Sequence, residues 1–190
     1  MSGRILVGIL GVAGSGKTLV SKHLVERHGF TRTRFADPIK RMLKTGLGLT
    51  DAQLDGDQKM VPIPVYGGAT PRSLMQTLGT EWGRRLVHGD LWMNAWLHDV
   101  AAVEGAVVVD DVRFPNEAKL IKAMGGTLWR VYRPGLNSMD HASERLQRDI
   151  VEDMLINNAT SIPAMLASVD LLARSSPQAP GDRVLGAALG

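Results

Sequence analysis

The residues with the clearest chemical meaning are residues 11–18, GVAGSGKT, which follow a short apolar run. Their spacing is G-x-x-x-x-G-K-T, in which the glycines let backbone N–H groups turn toward phosphate oxygens. The lysine of this pattern reaches the β- and γ-phosphates, and the hydroxyl of the last residue binds Mg²⁺. A helical pattern begins at Lys17, so the positive end of a helix adds to the anion site. The motif predicts a site for a nucleoside triphosphate.

A second chemical feature is the sequence VVVDDVRFPNEA, residues 107–118. An apolar run typical of a buried strand ends there in two adjacent carboxylates, Asp110 and Asp111, and Arg113 follows closely. Two like charges side by side need a positive partner. In parallel P-loop folds a second strand ends beside the phosphate loop and presents an acid to the metal. Asp110 is therefore the predicted metal-side acid, with Mg²⁺ and Lys17 as the predicted positive charges.

Phosphoryl transfer to an acceptor that is itself a phosphate needs arginines beyond the phosphate loop. Such an enzyme holds two polyanions in line and neutralises the charge that builds up between them, and it needs no strong base. Arg113, Arg130 and Arg133 lie at or after predicted strands, where the ligand-facing loops of an open parallel sheet belong. We interpret this set as a second anion site.

The pair Thr70-Pro71 predicts the start of a helix that runs to about Val87. At about 100° per residue, one side of this helix is polar and the other is apolar and faces the core. Two glycines within the polar side would let a ligand approach the backbone, although a solvated face with two poor helix formers is the alternative. The polar side holds Arg72, Gln76, Gly79, Thr80 and Gly83, with Arg84 beside it, and the core side holds Leu74, Met75, Leu78, Trp82 and Leu86.

Two further polar features are open to a structural or a functional interpretation. Asp37 follows the second predicted strand, where it would face the sugar or base of an acceptor or would cap the next helix. His141 and Glu144, in the sequence DHASE, lie in a predicted loop over the site or in a capping box with Ser143.

Apolar strands alternate with amphipathic helices along the chain. This order predicts a three-layer P-loop NTPase fold, in which a five-stranded parallel sheet has helices on both faces and a small helical acceptor-binding insertion. We expect one kinase domain at 1–174, with the insertion at about 37–104, and a flexible tail at 175–190. The predicted strands are 5–10, 31–35, 106–110, 127–132 and 154–157, and the predicted helices are 17–28, 37–45, 71–87, 90–104, 116–124, 145–153 and 162–172.

Composition limits the class of protein. The 190 residues include no cysteine, so disulfides and cysteine-ligated metals are excluded, and the formal net charge of +3 suits an anionic ligand. The chain lacks a dense basic block, a signal-peptide pattern and an apolar run of the roughly 18 residues that span a membrane. We expect a cytoplasmic protein, in the host cytoplasm if phage-encoded, that is a monomer or homodimer and contacts neither nucleic acid nor membrane directly.

The motifs together resemble those of the phage deoxynucleoside monophosphate kinases, a branch of the adenylate-kinase-like P-loop kinases. One matching block, INNATSIPAML at 156–166, looks like the segment that closes around the adenine of ATP. The other blocks are GVAGSGKT at 11–18, FADPIK at 35–40, TPRSLMQTLGTEWGRRL at 70–86, VVVDDVRFPNEA at 107–118 and DHASE at 140–144.

The resemblance implies Mg²⁺-dependent transfer of the γ-phosphoryl group of ATP to a deoxynucleoside monophosphate (dNMP), giving dNDP and ADP for phage DNA synthesis. Lys17, Arg113 and Arg133 would be catalytic, with Arg113 between donor and acceptor and Arg133 and Arg145 in place of a lid. Thr18 and Asp110 would hold Mg²⁺. The implied ATP-binding residues are Gly11, Ala13, Gly14, Ser15, Gly16, Lys17, Thr18, Leu19 and Asn157, and the implied dNMP-binding residues are Asp37, Lys40, Arg72, Gln76, Thr80, Arg84, Arg113, Asn116 and Glu117.

Two other functions fit the same motifs. A kinase resembling dephospho-coenzyme A kinase would phosphorylate a hydroxyl and would need Asp37 as a base. A P-loop protein of phage DNA processing would bind a nucleotide with little turnover.

Overall fold

The computed structural model describes residues 5–136 and 147–175, which form two compact units. The first unit consists of the described residues of Met1–Arg34 and Val103–Gly190, and the second is Phe35–Ala102. The helices of the described chain are α1 (Lys17–His28), α2 (Asp37–Leu47), α3 (Asp51–Leu54), α4 (Pro71–Gln76), α5 (Leu91–Ala101), α6 (Pro115–Ala123) and α7 (Ile162–Ser175).

The first unit is built on a sheet of five parallel strands in the order β2-β3-β1-β4-β5. The predicted strands 127–132 and 154–157 are confirmed to the residue, whereas the strands predicted at 31–35 and 106–110 are shorter than expected. The strands are β1 (Leu6–Leu10), β2 (Thr31–Thr33), β3 (Val107–Val109), β4 (Thr127–Tyr132) and β5 (Met154–Asn157).

Helices cover both faces of this sheet because successive strand residues point to opposite sides. On one face, Val7 and Ile9 belong to a buried cluster that includes Leu24 of α1 and Met165 of α7. On the other face, Gly8 lies against α6. A Cβ atom on Gly8 would be 3.0 Å from Leu128 Cδ2 and 3.4 Å from Ile121 Cγ1. The predicted three-layer fold is confirmed.

The second unit is mainly helical. Thr50 and Thr70 cap α3 and α4, accepting hydrogen bonds from the N–H groups of Gln53 and Ser73. A small apolar core forms between these helices and α2, around Leu43, Leu49 and Leu54. In α5 the buried residues are Trp92, Met93, Trp96 and Val100, and Phe35 packs on Trp96 with ring centroids 4.8 Å apart.

The predicted helix 71–87 changes type partway along its length. It is α-helical to Gln76 and continues as a π-helix over Thr77–Val87, and the His88 N–H donates to Gly83 O, five residues earlier. A π-helix has more residues per turn than an α-helix, so an angle of 100° per residue misplaces the side chains. The prediction that Trp82 and Leu86 face the core is wrong, since their exposures are 40% and 79%.

The two glycines of this segment accommodate packing within the second unit. Gly79 and Gly83 are buried, and the Trp92 indole N–H donates to Gly79 O at 2.7 Å. A Cβ atom on Gly83 would be 2.4 Å from Trp92 Nε1, and one on Gly79 would be 3.0 Å from Ile39 Cδ1. The hypothesis that these glycines admit a ligand is wrong, because the indole and the isoleucine occupy that space.

Other boundaries also differ from prediction; for example, the helix predicted at 90–104 is α5, Leu91–Ala101. The helix predicted at 145–153 is, in its described part, a short 3-10 turn at Gln147–Asp149 followed by strand β5. The last helix reaches Ser175, three residues past its predicted end at Leu172, and the predicted tail from residue 176 lies outside the described residues. In the part of the chain that the structure describes, the helices are too short or too polar to cross a membrane.

Replacing Gly83 by alanine should destabilise the protein. The new Cβ atom would clash with the buried Trp92 ring, and overpacking of this kind costs about 1–3 kcal/mol. Gly46→Ala is the matched control, because Gly46 lies in α2 with no atom within 4 Å of the new Cβ atom. That control should stabilise the protein by about 0.5–1 kcal/mol. Urea unfolding of both variants measures the difference, and equal midpoints would contradict the packing role of Gly83.

Candidate functional site

The loop at residues 11–18 joins β1 to α1 and has the backbone of a phosphate cradle. Gly11 has φ 142° and Gly16 has φ 112°, backbone angles that residues other than glycine rarely adopt. A Cβ atom on Gly11 would be 2.5 Å from Val131 O, and one on Gly16 would be 2.9 Å from Asn158 Nδ2. The loop therefore needs glycine at both positions for two reasons, the backbone angle and the close packing.

Lys17 and Ser15 are the polar side chains inside the loop. Lys17 Nζ donates to Gly11 O at 2.7 Å and to Val12 O at 2.8 Å, so the ammonium group lies over the loop carbonyls. Ser15 is fully buried, and its hydroxyl has no hydrogen-bond partner among the described residues. An unsatisfied buried hydroxyl is costly. Both groups are donors that an anion in the loop would satisfy.

Three side chains from later in the chain hold the loop. Gln147 is buried and its Oε1 accepts from the Gly11 N–H at 3.2 Å. Asn158 Nδ2 donates to Ser15 O at 2.8 Å, and Arg133 Nη1 donates to Gly14 O at 3.4 Å. Arg133 was among the predicted catalytic residues, and the structure brings it to the loop. Sequence reasoning missed both Gln147, which carries no motif, and the contact of Asn158 with the loop.

The carboxylate that follows β3 adjoins the same loop. Asp110 is 4% exposed, and Ser21 Oγ donates to its Oδ2 at 2.6 Å and to Thr18 O at 3.2 Å. Ser21 lies one helical turn after Thr18 in α1, so this hydroxyl connects the acid to the end of the loop. The structure thus brings Asp110 beside the first turn of α1, as the motif predicts.

The positive partner of Asp110 is an arginine that sequence reasoning missed. Arg32, in the edge strand β2, places Nη2 2.6 Å from Asp110 Oδ2. Its Nε is buried and has no hydrogen-bond partner among the described residues. Among those residues both partners of Asp110 use Oδ2, which leaves Oδ1 for a metal ion or its water. The donor set therefore fits a hard cation, with Thr18 and Asp110 as the residues that would hold it.

Arg130 supports the site and does not belong to it. It donates from Nε to Glu152 Oε2 at 2.8 Å and from Nη2 to the carbonyl oxygens of Gln147 and Ile150. Partial burial alone would raise the pKa of Glu152, but the hydrogen bond and charge of Arg130 outweigh it and lower that pKa. These contacts of Arg130 hold the segment 147–152 in place, and Gln147 of that segment contacts the phosphate loop.

A second carboxylate ties the same segment to β4. Asp153 accepts from Lys122 Nζ at 2.7 Å and from the Leu128 N–H at 2.7 Å. Partial burial acts to raise the pKa of Asp153, and these two donors bring it below its ordinary value. An ionised Asp153 therefore holds the chain just before β5.

The backbone of Arg113 is held by a hydrogen bond to a buried carboxylate. Its side chain is exposed, while its backbone N–H donates to Glu117 Oε2 at 2.8 Å, as does the Phe114 N–H at 3.0 Å. Glu117 is 2% exposed, and by accepting these two hydrogen bonds its carboxylate caps the N-terminus of α6. Asn116 is half-buried, and its Oδ1 accepts from the Glu117 N–H at 3.1 Å.

The remaining predicted acceptor residues lie in the second unit. Asp37 is the first residue of α2, one position past the N-cap, which is Ala36. Lys40 pairs with Asp55 at 2.6 Å, and Arg84 Nη1 donates to Gly89 O at 3.2 Å. Gln76 is exposed, and Arg72 and Thr80 are half-buried.

The remaining predicted residues either lie outside the described part of the chain or belong to the predicted ATP site. The sequence DHASE, with His141 and Glu144, and the proposed lid residue Arg145 lie outside the described residues. Asn157, the predicted adenine contact, is the last residue of β5 and is exposed. Ala13 and Thr18 are exposed in the phosphate loop and its helix, and Leu19 is half-buried.

A family model and two related proteins match this sequence, and all three carry the name of one kinase family. The family model described as deoxynucleotide monophosphate kinase matches residues 67–169. A protein of Acanthamoeba polyphaga mimivirus, which carries the provisional name deoxynucleotide monophosphate kinase, is 37% identical over 82% of this chain and 90% of its own. The deoxynucleoside-5'-monophosphate kinase of Escherichia phage T5 is 43% identical over 28% of this chain and 22% of its own.

Comparison with solved structures concerns the fold. The crystal structure of TT1252 from Thermus thermophilus superposes with a TM-score of 0.50 at 16% identity. The match covers 92% of this chain and 99% of that chain. At this level of identity the likeness extends to the fold alone.

Removing the charge of Arg32 should destabilise the protein through Asp110. In Arg32→Met the buried carboxylate loses its ion-pair partner, and hydrogen bonds to charged groups contribute about 1.5–3 kcal/mol. We expect a loss of about 2 kcal/mol in urea unfolding. The matched control is Arg41→Met, whose exposed pair with Asp99 should contribute under about 1 kcal/mol. Equal losses in the two variants would show that Arg32 does not hold the buried acid.

Proposed function

The chain belongs to the deoxynucleotide monophosphate kinase family, and on that premise we propose that it transfers the γ-phosphoryl group of ATP to a dNMP. One structural observation carries the proposal. Ser21 bonds to both Thr18 O and Asp110 Oδ2, and so joins the phosphate loop to a buried acid in one frame. That frame supplies donors for a triphosphate and a carboxylate for its metal ion.

The donor half of the proposed site is the phosphate loop with α1. Backbone N–H groups of the phosphate loop, other than that of Gly11, which donates to Gln147, bind the ATP phosphates together with the first turn of α1, and Asn157 approaches the adenine. Lys17 exchanges the carbonyl oxygens of Gly11 and Val12 for the β- and γ-phosphate oxygens. Mg²⁺, when bound by Thr18 and Asp110, supplies charge neutralisation on those oxygens.

Polar side chains are our candidates for the dNMP contacts. In the second unit we propose Asp37, Lys40, Arg72, Gln76, Thr80 and Arg84 as dNMP contacts. For Lys40 the proposal requires an exchange of partners, since its ammonium group pairs with Asp55 in this structure. In the first unit we propose Asn116 as a contact. The buried carboxylate of Glu117 supports a role in positioning the backbone of Arg113.

The chemical step requires charge stabilisation and no base. An oxygen of the acceptor phosphate attacks the γ-phosphorus, and the bond from that phosphorus to the bridging oxygen of ATP breaks. The acceptor oxygen is already anionic, so no proton is removed. The exposed guanidinium of Arg113, on its fixed backbone, is our candidate to stabilise the transferring group, with Arg133 beside the loop at Gly14 as a second cation.

A panel of acceptors tests the proposed function. Release of ADP from Mg-ATP is followed with each dNMP, each NMP and dephospho-coenzyme A. At least one dNMP should accelerate ADP release far above the rate with ATP alone, whereas dephospho-coenzyme A should not. Lys17→Met is the inactive control and should lose about 10²-fold or more. Lack of acceleration by any nucleotide would refute the kinase proposal, and acceleration by dephospho-coenzyme A alone would indicate a hydroxyl acceptor.

Arg113→Ala tests the role of one arginine within that reaction. Because we assign Arg113 to the transferring group, its loss should lower kcat by about 10²-fold or more with little change in ATP affinity. Arg174→Ala, at an exposed position of α7, is the matched control and should leave both quantities unchanged. Steady-state kinetics with ATP-binding measurements separate the two effects. A weaker ATP affinity at unchanged kcat would place Arg113 on the donor instead.

A further inference from the structure

A group of three metal-ligating side chains lies on the face of the sheet covered by α1 and α7. His23 and His28 come from α1, and Asp170 comes from α7. Asp170 Oδ1 is 2.6 Å from His23 Nε2 and 2.7 Å from His28 Nε2. We propose that these three residues form a zinc-binding site that takes no part in phosphoryl transfer.

The geometry of the two rings suits a shared ligand. Their centroids are 5.9 Å apart with an interplanar angle of 65°, so the rings do not stack, and both Nε2 atoms approach the same carboxylate oxygen. One possible ligand atom from each of the three residues lies within 4.8 Å of the others. Two imidazole nitrogens and one carboxylate oxygen form a common zinc ligand set, in which water takes the fourth position.

For zinc to bind, each imidazole would transfer its ring proton from Nε2 to Nδ1 through solvent, so that metal ligation replaces the hydrogen bonds to Asp170 after small side-chain rotations. Zn–N and Zn–O bonds of about 2.0–2.2 Å place tetrahedral ligand atoms roughly 3.3 Å apart. The separations in the structure, 2.6 and 2.7 Å, are slightly shorter. Each nitrogen therefore needs to move away from the carboxylate oxygen by only a fraction of an ångström, within helices that already pack together.

Burial and charge also favour a cation at this position. The side chains of His23, His28 and Asp170 are 14%, 17% and 30% exposed, so a metal ion could enter from solvent but would meet little competing water once bound. Two neutral imidazoles and one carboxylate give a dication one compensating charge.

The ligand types separate this site from a magnesium site. Mg²⁺ demands near-octahedral coordination by oxygen, whereas imidazole nitrogen favours zinc. Magnesium used with ATP should therefore not occupy the His23–His28–Asp170 group. A bound zinc ion would link the last turn of α1, whose first turn carries Lys17 and Thr18, to α7, and would stabilise the folded first unit.

Zinc titration of the tag-free full chain tests this proposal. The chain competes with a chromogenic chelator for Zn²⁺, with Mg²⁺ in excess throughout to occupy oxygen sites. The wild type should bind one equivalent, and His23→Ala, His28→Ala and Asp170→Asn should each weaken binding at least about 10-fold. His98→Ala is the matched control, because His98 is 93% exposed in its side chain and lies in α5 of the second unit.

The change in Tm on adding Zn²⁺ is a second measurement, and it can be interpreted even when a variant is less stable than the wild type. Each protein is compared with itself with and without Zn²⁺, so a loss of intrinsic stability does not enter the comparison. Zinc should raise the Tm of the wild type and of His98→Ala and should leave the Tm of His23→Ala unchanged. Absence of saturable binding, or equal binding by the ligand variants and the wild type, would overturn the proposal, and the kinase assay is unaffected by either result.

Discussion

The buried carboxylate of Asp110 is the constraint on which the site depends. An ionised group at 4% exposure must be paired and hydrogen-bonded, or the fold loses several kcal/mol. Its partners come from two directions, Arg32 in β2 and Ser21 in α1. The strand order β2-β3-β1 makes this possible, because it sets β3 between the strand that carries the arginine and the strand that leads into α1. A three-residue edge strand thereby becomes part of the framework of the candidate site.

The phosphate loop has a similar dependence on distant residues. Its sequence permits the required backbone angles, but its neighbours fix which conformation is adopted. Val131 O in β4 lies where a side chain on Gly11 would be, Gln147 accepts from the Gly11 N–H, and Asn158 holds Ser15 O. The segment bearing Gln147 is itself fixed by the Arg130–Glu152 pair. An eight-residue motif is therefore supported by contacts from β4, from the turn that follows it and from the residue just after β5.

Much of this could be predicted from the sequence. The apolar runs of β1 and β3 locate those strands because their residues are buried on both faces of the sheet. The G-x-x-x-x-G-K-T spacing identifies the phosphate loop because its glycines are required by backbone angle. The pairing of Arg32 with Asp110 could not be predicted, because it depends on strand order. Trp82 was assigned to the wrong side because hydrophobic periodicity does not reveal a change from i→i+4 to i→i+5 hydrogen bonding. The packing of Gly83 against Trp92 could not be predicted either, because Trp92 belongs to the next helix.

The strand order also has a consequence for biosynthesis. The central strand β1 is the first to be synthesised, yet both of its partners come much later, since Val7 pairs with Val108 on one side and with Thr127 on the other. Pairings between residues so far apart in sequence form slowly because the intervening chain must first close into a loop. A nascent chain that ends before β4 would carry the glycine-rich motif without Val131, Gln147 or Asn158 to shape it. The capacity to hold a nucleotide would then arise late in translation, as the last third of the chain leaves the ribosome.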